Sequence, residues 1–205
     1  MNGAGAIVYV VDDDGSVRRT TERLIRSMGY YVQTFASAQE FLDLARPGGP
    51  ACLVLDIRMP GLTGLQLQQQ LLQSGRAIPI IFVTGHAEVP TAVKAMKAGA
   101  VEFLTKPFKS RDLKQAIQTA VARHEGDLKT HSEVDQLRQR FETLTARERE
   151  VMGLIVEGKL NKQAADDLGT TERTIKFHRA NLMDKMGAVS LAELVRMAEK
   201  LKLPV

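Results

Sequence analysis

Polar side chains that could hold a phosphoryl group or a metal ion follow four apolar segments of the sequence. Asp12 and Asp13 come directly after one segment, Asp56 ends a second, and Thr84 and Lys106 close two more. If these segments are buried parallel strands, their carboxyl ends meet at one edge of the sheet, where ligands bind in open α/β folds. Taken singly, each residue has a structural explanation, since Asp56 could simply cap the following helix. Taken together, they favour one functional site.

The chemistry of such a site follows from the residue types. Carboxylates gathered at one edge repel one another unless a cation is present. Oxygen ligands without His or Cys select a hard cation, and Mg²⁺ binds through one or two carboxylates while keeping several waters. A Mg²⁺ ion beside Asp56, with the Lys106 ammonium and the Thr84 hydroxyl, would neutralise and hold a phosphoryl group on the Asp56 carboxylate. The sequence therefore predicts Asp56 as a nucleophile in phosphoryl transfer.

The elements that must position these residues alternate between strand-like and helix-like patterns. Apolar runs predict strands at 6–11, 30–35, 52–56, 78–83 and 101–104. Helical periodicity predicts helices at about 17–28, 38–45, 65–73, 89–97 and 110–123. Ser16 and Ser37 are the expected caps of the first two helices, Glu40 completes a capping box with Ser37, and Pro47 to Pro50 break the chain. Five strand–helix pairs with right-handed crossovers predict a doubly wound α/β domain.

Composition limits the other function classes. The 205 residues are 44% hydrophobic and 25% charged, which is typical of a globular protein. No apolar run approaches the roughly 18 residues that span a bilayer, and residues 1–5 lack the basic start of a secretion signal, so we expect a cytoplasmic protein without a membrane partner. The single Cys52 lies in an apolar run and excludes an intrachain disulfide. The net charge of +4 does not by itself argue for nucleic-acid binding.

The second part of the chain is predicted to be helical. Residues 125–142 are polar, contain no Pro and carry a thin apolar stripe, which favours a helical linker. Thr145 and Glu148 form a capping box for a helix that ends near Glu157. A short helix beginning at Asn161, a turn with Gly169 and a further helix to about residue 186 then give a helix-turn-helix arrangement, in which the second helix enters the major groove.

The outer face of that second helix carries the candidate DNA contacts. We expect Ile175, Leu182 and Met186 to face the core, and the opposite face to contact base edges and phosphates through Arg173, Lys176, Phe177, Arg179 and Ala180. The three basic residues are expected to lie roughly along one face. Backbone phosphates are within reach of Lys162, Thr170 and Thr171. Three basic residues alone would fit a solvated helix face equally well.

The first part of the chain resembles a known family. Val11 to Asp14, Leu55 to Gly64, Thr84 to His86 and Lys106 to Phe108 resemble, in order and spacing, the signature of response-regulator receiver domains over about residues 5–124. The resemblance implies a five-stranded parallel sheet in the order 2-1-3-4-5 and phosphorylation of Asp56 by a sensor histidine kinase. It further implies that Mg²⁺ is bound by the carboxylates of Asp13 and Asp56 and by the main-chain carbonyl of Arg58. Asp12 would assist through water.

The same resemblance implies a switch and a dimer. Lys106 would pair with the phosphoryl group, Thr84 would move to bond it, and Phe103 would follow the Thr84 hydroxyl. The residues after Thr84, with Val89-Pro90 and Ala92-Val93, resemble the FixJ subgroup in particular. In that subgroup the fourth helix and fifth strand would form the surface that rearranges and gives a homodimer on phosphorylation.

The second part resembles the LuxR-type DNA-binding domain, an all-α unit of four helices. The resemblance rests on residues 144–151, on Asn161-Lys162 and on the run from Thr174 to His178. It implies double-stranded promoter DNA as the partner, with Asn161 and Thr174 among the contacts and RNA polymerase as a further partner. The last helix, 191–200, would mediate dimerisation. The family often has Val where Ile175 or Phe177 stands and a base-contacting Lys where Ala180 stands, which bears on the sequence recognised.

We therefore expect a receiver domain at 5–124, a helical linker at 125–142 and a LuxR-type helix-turn-helix domain at 143–205. The predicted function is a DNA-binding transcriptional response regulator of the FixJ/NarL type. We expect it not to be an enzyme and to take part in phosphoryl transfer only to its own Asp56. One alternative is a regulator that binds DNA without phosphorylation and whose receiver is a dimerisation module. Another is a Mg²⁺-dependent phosphohydrolase, which would need a second acid–base group that the spacing from Asp56 to Arg58 does not supply.

Overall fold

The computed structural model describes residues 5–44, 48–86 and 88–203. They divide into two compact units, the first ending at Leu128 and the second beginning at Lys129. Ala45, where the second helix was expected to end, and Pro47 of the expected chain break lie outside the described residues. None of the helices in these ranges combines the length and the apolar composition of a membrane span. The domain bounds expected from the sequence stay predictions.

The first unit is built on a parallel sheet, for which the described residues give five strands. They are β1 (Ile7–Val11), β2 (Tyr31–Phe35), β3 (Ala51–Asp56), β4 (Ile80–Thr84) and β5 (Glu102–Thr105). Their order is β2-β1-β3-β4-β5, which confirms the predicted doubly wound topology. Every residue of β3 and β4 is buried, because helices cover both faces of the sheet. The strand ends differ from the sequence-based expectation by one or two residues.

Alternate residues of the strands enter two separate cores. Tyr9, Leu53 and Phe82 belong to one core, whereas Val10 and Cys52 belong to the other. Successive side chains of a strand point to opposite faces, so a continuous apolar run supplies both cores at once. Burial raises the pKa of the Cys52 thiol to about 12, consistent with a core residue. The helices of this unit are α1 (Gly15–Ser27), α2 (Ala38–Leu42), α3 (Gly64–Gln73), α4 (Val89–Lys97) and the first part of α5 (Ser110–Glu142).

The caps of the first two helices agree only in part with those expected from the sequence. Asp14, not Ser16, caps α1, and its carboxylate accepts hydrogen bonds from the amides of Ser16 and Val17 at 2.7 and 3.1 Å. The helix begins two residues earlier than expected, at Gly15, which places Ser16 in the first turn. Ser37 caps α2 as predicted, but the Glu40 carboxylate accepts the Ala36 amide, so no capping box closes on Ser37.

Helix α5 does not end near Arg123 as expected but continues without interruption to Glu142. The segment contains no Pro, and a single Gly126 in a helix costs only about 1 kcal/mol relative to Ala. The helical conformation expected for 125–142 is therefore present, but as the second part of a longer helix rather than as a separate element.

The second unit packs the end of α5 with α6 (Ala146–Val156), α7 (Asn161–Asp167), α8 (Glu172–Met186) and α9 (Leu191–Lys200). Its core includes Val151, Ala164, Ile175 and Leu194, one from each helix from α6 to α9. Thr145 caps α6 through the predicted capping box with Glu148. The four helices from α6 to α9 confirm the all-α architecture expected for this part of the chain.

His124 gives the first unit a buried titratable group. Its Nδ1 accepts the Ala51 amide at 2.9 Å, and the side chain is 6% exposed. Burial lowers the pKa of His124, and the Asp127 carboxylate offsets this only in part. The unfolded chain takes up a proton below about pH 6.5, whereas the folded unit keeps the imidazole neutral to lower pH. The stability that His124 contributes is thus complete above that pH and is lost as the pH falls through the folded-state pKa.

We expect His124→Asn to lose this acid sensitivity, because the amide oxygen can still accept the hydrogen bond but does not titrate. Urea unfolding followed by tyrosine fluorescence reports the first unit alone, since the chain has three tyrosines, at 9, 30 and 31, and no tryptophan. When the pH is lowered from about 7.5 to about 5.5, the wild type should lose more free energy of unfolding than the variant. Equal losses would contradict the role given to His124.

Candidate functional sites

The ends of β1, β3 and β5 bring four charged side chains together. Asp12 and Asp13 follow β1, Asp56 is the last residue of β3, and their carboxylate oxygens lie within 4.8 Å of one another. Lys106, directly after β5, donates from Nζ to Asp12 Oδ2 at 2.6 Å and to Asp56 Oδ2 at 2.7 Å. Four of the predicted site residues therefore form one cluster at one edge of the sheet.

The electrostatics of this cluster are those of a site that attracts a cation. Burial raises the pKa of Asp12, and the Lys106 ammonium opposes that shift. Burial would lower the pKa of Lys106, but its two hydrogen-bonded carboxylates outweigh burial and raise it, so Lys106 stays charged at neutral pH. One ammonium leaves three carboxylates with a surplus of negative charge. The donors are all oxygens, which fits a hard divalent ion such as Mg²⁺.

Main-chain groups fix the carboxylates in place. The Asp14 amide donates to Asp12 Oδ1 at 3.0 Å, and the Arg58 amide donates to Asp56 Oδ1 at 3.2 Å. Each of the two buried carboxylates thus offers one oxygen to the main chain and the other to Lys106. The Arg18 guanidinium, which the sequence did not reveal, donates to the Asp12 carbonyl at 2.5 Å. Asp12, Asp13 and Asp56 do not serve as helix caps. Asp14 caps α1 and Thr63 caps α3.

Thr84, predicted to face the same site, makes its hydrogen bonds elsewhere. The side chain is buried at the end of β4, and its hydroxyl bonds the main chain of His86, donating to the carbonyl at 3.2 Å and accepting the amide at 3.3 Å. Phe103 pairs with Phe82 in the sheet register and packs against the core to which Phe82 belongs. Thr84 therefore lies at the end of β4 with its hydroxyl bonded to the β4–α4 loop, and Phe103 lies two residues before the end of β5.

Gly64 is a site residue that sequence reasoning missed. It is the first residue of α3, and a Cβ atom there would collide with the main-chain oxygen of Asp56 and lie 3.0 Å from Ile57 Cα. The Gly64 amide also donates to the Ile57 carbonyl at 3.0 Å. The helix can approach the end of β3 this closely only because position 64 has no side chain. Its signals in the sequence were its place at the end of the motif from Leu55 to Gly64 and its position directly after Thr63.

In the second unit, the predicted DNA-contacting residues fall mainly on one exposed face of α8. Arg173, Lys176, Phe177 and Ala180 are exposed, whereas the predicted core residues Ile175, Leu182 and Met186 are buried. At about 100° per residue, positions i, i+3, i+4 and i+7 share one side of a helix. Lys176 forms an ion pair with Glu172 at 2.9 Å on that surface. Lys162 is exposed near the start of α7 and Thr170 is half-buried in the turn.

Arg179 departs from the expected alignment of three basic residues. It is half-buried, and its Nη1 donates to Asn161 Oδ1 at the start of α7 at 3.1 Å. Six residues turn a helix by about 600°, which places Arg179 about 120° away from Arg173. The hydroxyls of Thr171 and Thr174 lie 2.9 Å apart, and Thr171 caps α8 by accepting the Thr174 amide at 3.2 Å.

Comparison with known proteins identifies both parts of the chain. The family model described as "Response regulator receiver domain" matches residues 8–118, and the model "Bacterial regulatory proteins, luxR family" matches residues 142–198. The chain belongs to the response regulators with a LuxR-type DNA-binding domain. This response regulator is accordingly a DNA-binding transcription regulator, as the sequence predicted, and its family is not one of classical enzymes.

Relatives align with this response regulator over most of its length. Nodulation protein W of Bradyrhizobium diazoefficiens is 47% identical over 196 residues, which are 96% of this response regulator and 86% of the relative. The transcriptional regulatory protein FixJ of the same organism is 43% identical over 192 residues, 93% of each chain. The solved structure of the response regulator StyR is similar with a TM-score of 0.84 and 47% identity, covering 96% of this chain and all of that one.

We expect Gly64→Ala to disturb the end of β3 and so the Asp56 carboxylate. The added methyl group must displace main chain rather than a flexible side chain, which should destabilise the first unit by about 1–3 kcal/mol. Urea unfolding followed by tyrosine fluorescence measures this, and phosphate-affinity electrophoresis after incubation with acetyl phosphate measures modification of the chain, which should fall.

The matched control is Gly49→Ala. Apart from its two chain neighbours, no described residue places an atom within 4 Å of a Cβ at position 49, so the added methyl group collides with none of them. This control should leave both measurements close to wild type. If Gly64→Ala behaved like Gly49→Ala, the close approach of α3 to β3 would have no bearing on the site.

Proposed function

We propose that a sensor histidine kinase phosphorylates this response regulator on Asp56, and that phosphorylation promotes dimerisation and binding to promoter DNA. The observation that supports this is the position of Asp56, which shares Lys106 with a second carboxylate at the edge of the sheet. An Asp56 oxygen would attack the phosphorus of a phosphohistidine. The new O–P bond forms as the P–N bond breaks, and the histidine nitrogen keeps the electron pair and takes a proton.

The acidic cluster would hold Mg²⁺ during this transfer. Asp13, Asp56 and the main-chain carbonyl of Arg58 would be ligands, and Asp12 would contribute through water. When bound, Mg²⁺ neutralises charge on the phosphoryl oxygens. Lys106, already 2.7 Å from Asp56 Oδ2, would pair with a phosphoryl oxygen once Asp56 is esterified. The residues of the chain thus provide the nucleophile, the cation site and a fixed positive charge.

Thr84 would convert the new phosphoryl group into a change of shape. Its hydroxyl would leave the His86 main chain for a phosphoryl oxygen, which removes two hydrogen bonds from the β4–α4 loop. Phe103 would move into the space that Thr84 vacates. Two arrangements of Thr84 and Phe103 then exist, and phosphorylation favours one of them. The helix that follows this loop is α4.

Helix α4 carries the surface that would form the dimer. Val89, Val93 and Met96 are 76, 46 and 42% exposed and stand at i, i+4 and i+7, so they form an apolar stripe on the outside of α4. We infer that this stripe, with β5, packs against a second receiver. Because the stripe is exposed without a phosphoryl group, a receiver that dimerises regardless of phosphorylation is the second candidate.

The second unit would convert the change in the receiver into a change in DNA affinity. A dimer presents two α8 helices to two half-sites of double-stranded promoter DNA. The residues that would contact it are Asn161, Lys162, Thr170, Thr171, Arg173, Thr174, Lys176, Phe177, Arg179 and Ala180. RNA polymerase is a further partner at such a promoter, and the cytoplasm is the compartment in which these partners meet.

The deciding experiment is the affinity for a duplex selected from random sequence, measured with and without acetyl phosphate and Mg²⁺. We expect phosphorylation to raise the affinity of the wild type by about 5- to 150-fold, the usual range of coupling between two sites. Asp56→Asn should bind alike in both conditions, because the amide cannot be phosphorylated. If all four measurements agree, the receiver is a passive dimerisation module and phosphorylation is not the switch.

Dimerisation is tested with Val93→Asp. A carboxylate in the middle of the α4 stripe would be buried without a partner in the dimer, which is costly. Sedimentation with acetyl phosphate and Mg²⁺ should therefore find the variant monomeric at concentrations where the wild type dimerises. Leu72→Asp, the same change at an exposed apolar residue of α3, is the control and should dimerise like the wild type. Equal loss in both variants would argue against α4 as the interface.

A further inference from the structure

Phe177 stands in the middle of the exposed face of α8 without packing on the core of its unit. It is 63% exposed, whereas the core of this unit is made by Val151, Ile175, Leu182 and other residues on the inner faces of the helices. A single exposed apolar residue needs no explanation by itself. Phe177 calls for one because of its neighbours, which are charged or small.

Those neighbours define what the face can bind. Arg173 and Ala180 lie one turn before and after Phe177 on the same side of the helix, and Lys176 is adjacent. Cations flank the ring, so a polyanion is attracted to the face. Ala180 is short, so the helix can come close to a surface on that side. A groove of double-stranded DNA meets both conditions.

The Phe177 ring contacts a second aromatic ring. His178 packs edge-on against Phe177, with 5.7 Å between ring centroids and 67° between ring planes. Such a T-shaped pair is a favoured geometry for two aromatic rings. A phenyl ring offers no hydrogen-bond donor or acceptor, so it cannot read the polar edge of any base. The C5 methyl group of thymine is the apolar feature that the major groove presents.

We infer that Phe177 selects thymine at one position of each half-site by packing its ring against the C5 methyl group. This rests on the proposed binding of promoter DNA through the exposed face of α8. Arg173 and Lys176 then contribute attraction to the phosphates or to guanine, and Phe177 contributes a preference that depends on a methyl group alone. The recognised sequence therefore contains a thymine whose replacement by uracil weakens binding.

The experiment uses the full-length wild type to select a duplex from random sequence, and then replaces each thymine of that duplex by uracil, one at a time. Uracil pairs like thymine and lacks only the methyl group. Fluorescence anisotropy should find one position per half-site where uracil weakens binding of the wild type by about fourfold, the effect of one buried methyl-sized group. For Phe177→Ala, the thymine and uracil duplexes should bind equally at that position.

Two further variants keep the result interpretable. Phe177→Leu retains an apolar side chain and should keep part of the preference for thymine, which a variant that merely unfolds would not do. Val189→Ala removes apolar atoms from a side chain that is 92% exposed in the turn between α8 and α9, and should keep the full preference. Circular dichroism should show unchanged helix content in all three variants.

The outcomes separate this inference from the proposed function. If the wild type selects a sequence but no uracil substitution matters, or if the loss is the same in Phe177→Ala, Phe177 does not read a methyl group and only this inference fails. If the wild type selects no sequence at all, the proposed DNA binding through α8 fails and the role of Phe177 fails with it.

Discussion

The two ion pairs of Lys106 determine how the receiver is arranged. In the sheet, β4 lies between β5 and β3, so Lys106 bonds across one strand to Asp56 and across two strands to Asp12. Two buried carboxylates close together would be unstable without that ammonium. The strand order, the lengths of the strands and the close approach of α3 at Gly64 all serve to bring these three groups to one edge. A phosphoryl group on Asp56 would change the partners of Lys106 first.

A structural change at this edge of the sheet can affect other parts of the unit because the rest of the unit is closely packed. Two apolar cores fix the strands on both faces, and such cores do not deform continuously. The polar groups at the strand ends have alternative partners instead. Thr84 is the clearest case, since its hydroxyl bonds a loop carbonyl and amide that water could equally satisfy. Exchanging the Thr84 partner in the β4–α4 loop therefore leaves no main-chain group without a hydrogen bond.

Sequence reasoning recovered what depends on periodicity and on strand ends. The apolar runs predicted every strand of the sheet, and the rule that strand ends share an edge brought Asp12, Asp56 and Lys106 together. Prediction from the sequence failed where the outcome depends on distances between elements. Nothing in the local sequence shows that α3 touches the Asp56 main chain or that Arg179 turns towards Asn161. Such contacts depend on how elements pack, which periodicity does not encode.

The recognition helix shows how packing prepares a surface for reading DNA. Thr171 caps α8 at its start, and Arg140, from the end of α5 in the same unit, donates to the Met186 carbonyl at its last residue at 3.0 Å. Gly187 then ends the helix in the left-handed region, at φ 70°. Each end of α8 thus has a main-chain group bonded by a side chain, and Ile175 and Leu182 pack its inner face into the core. A helix held in this way has an ordered backbone at Phe177 before DNA binds, so little of the binding free energy is spent on ordering the helix.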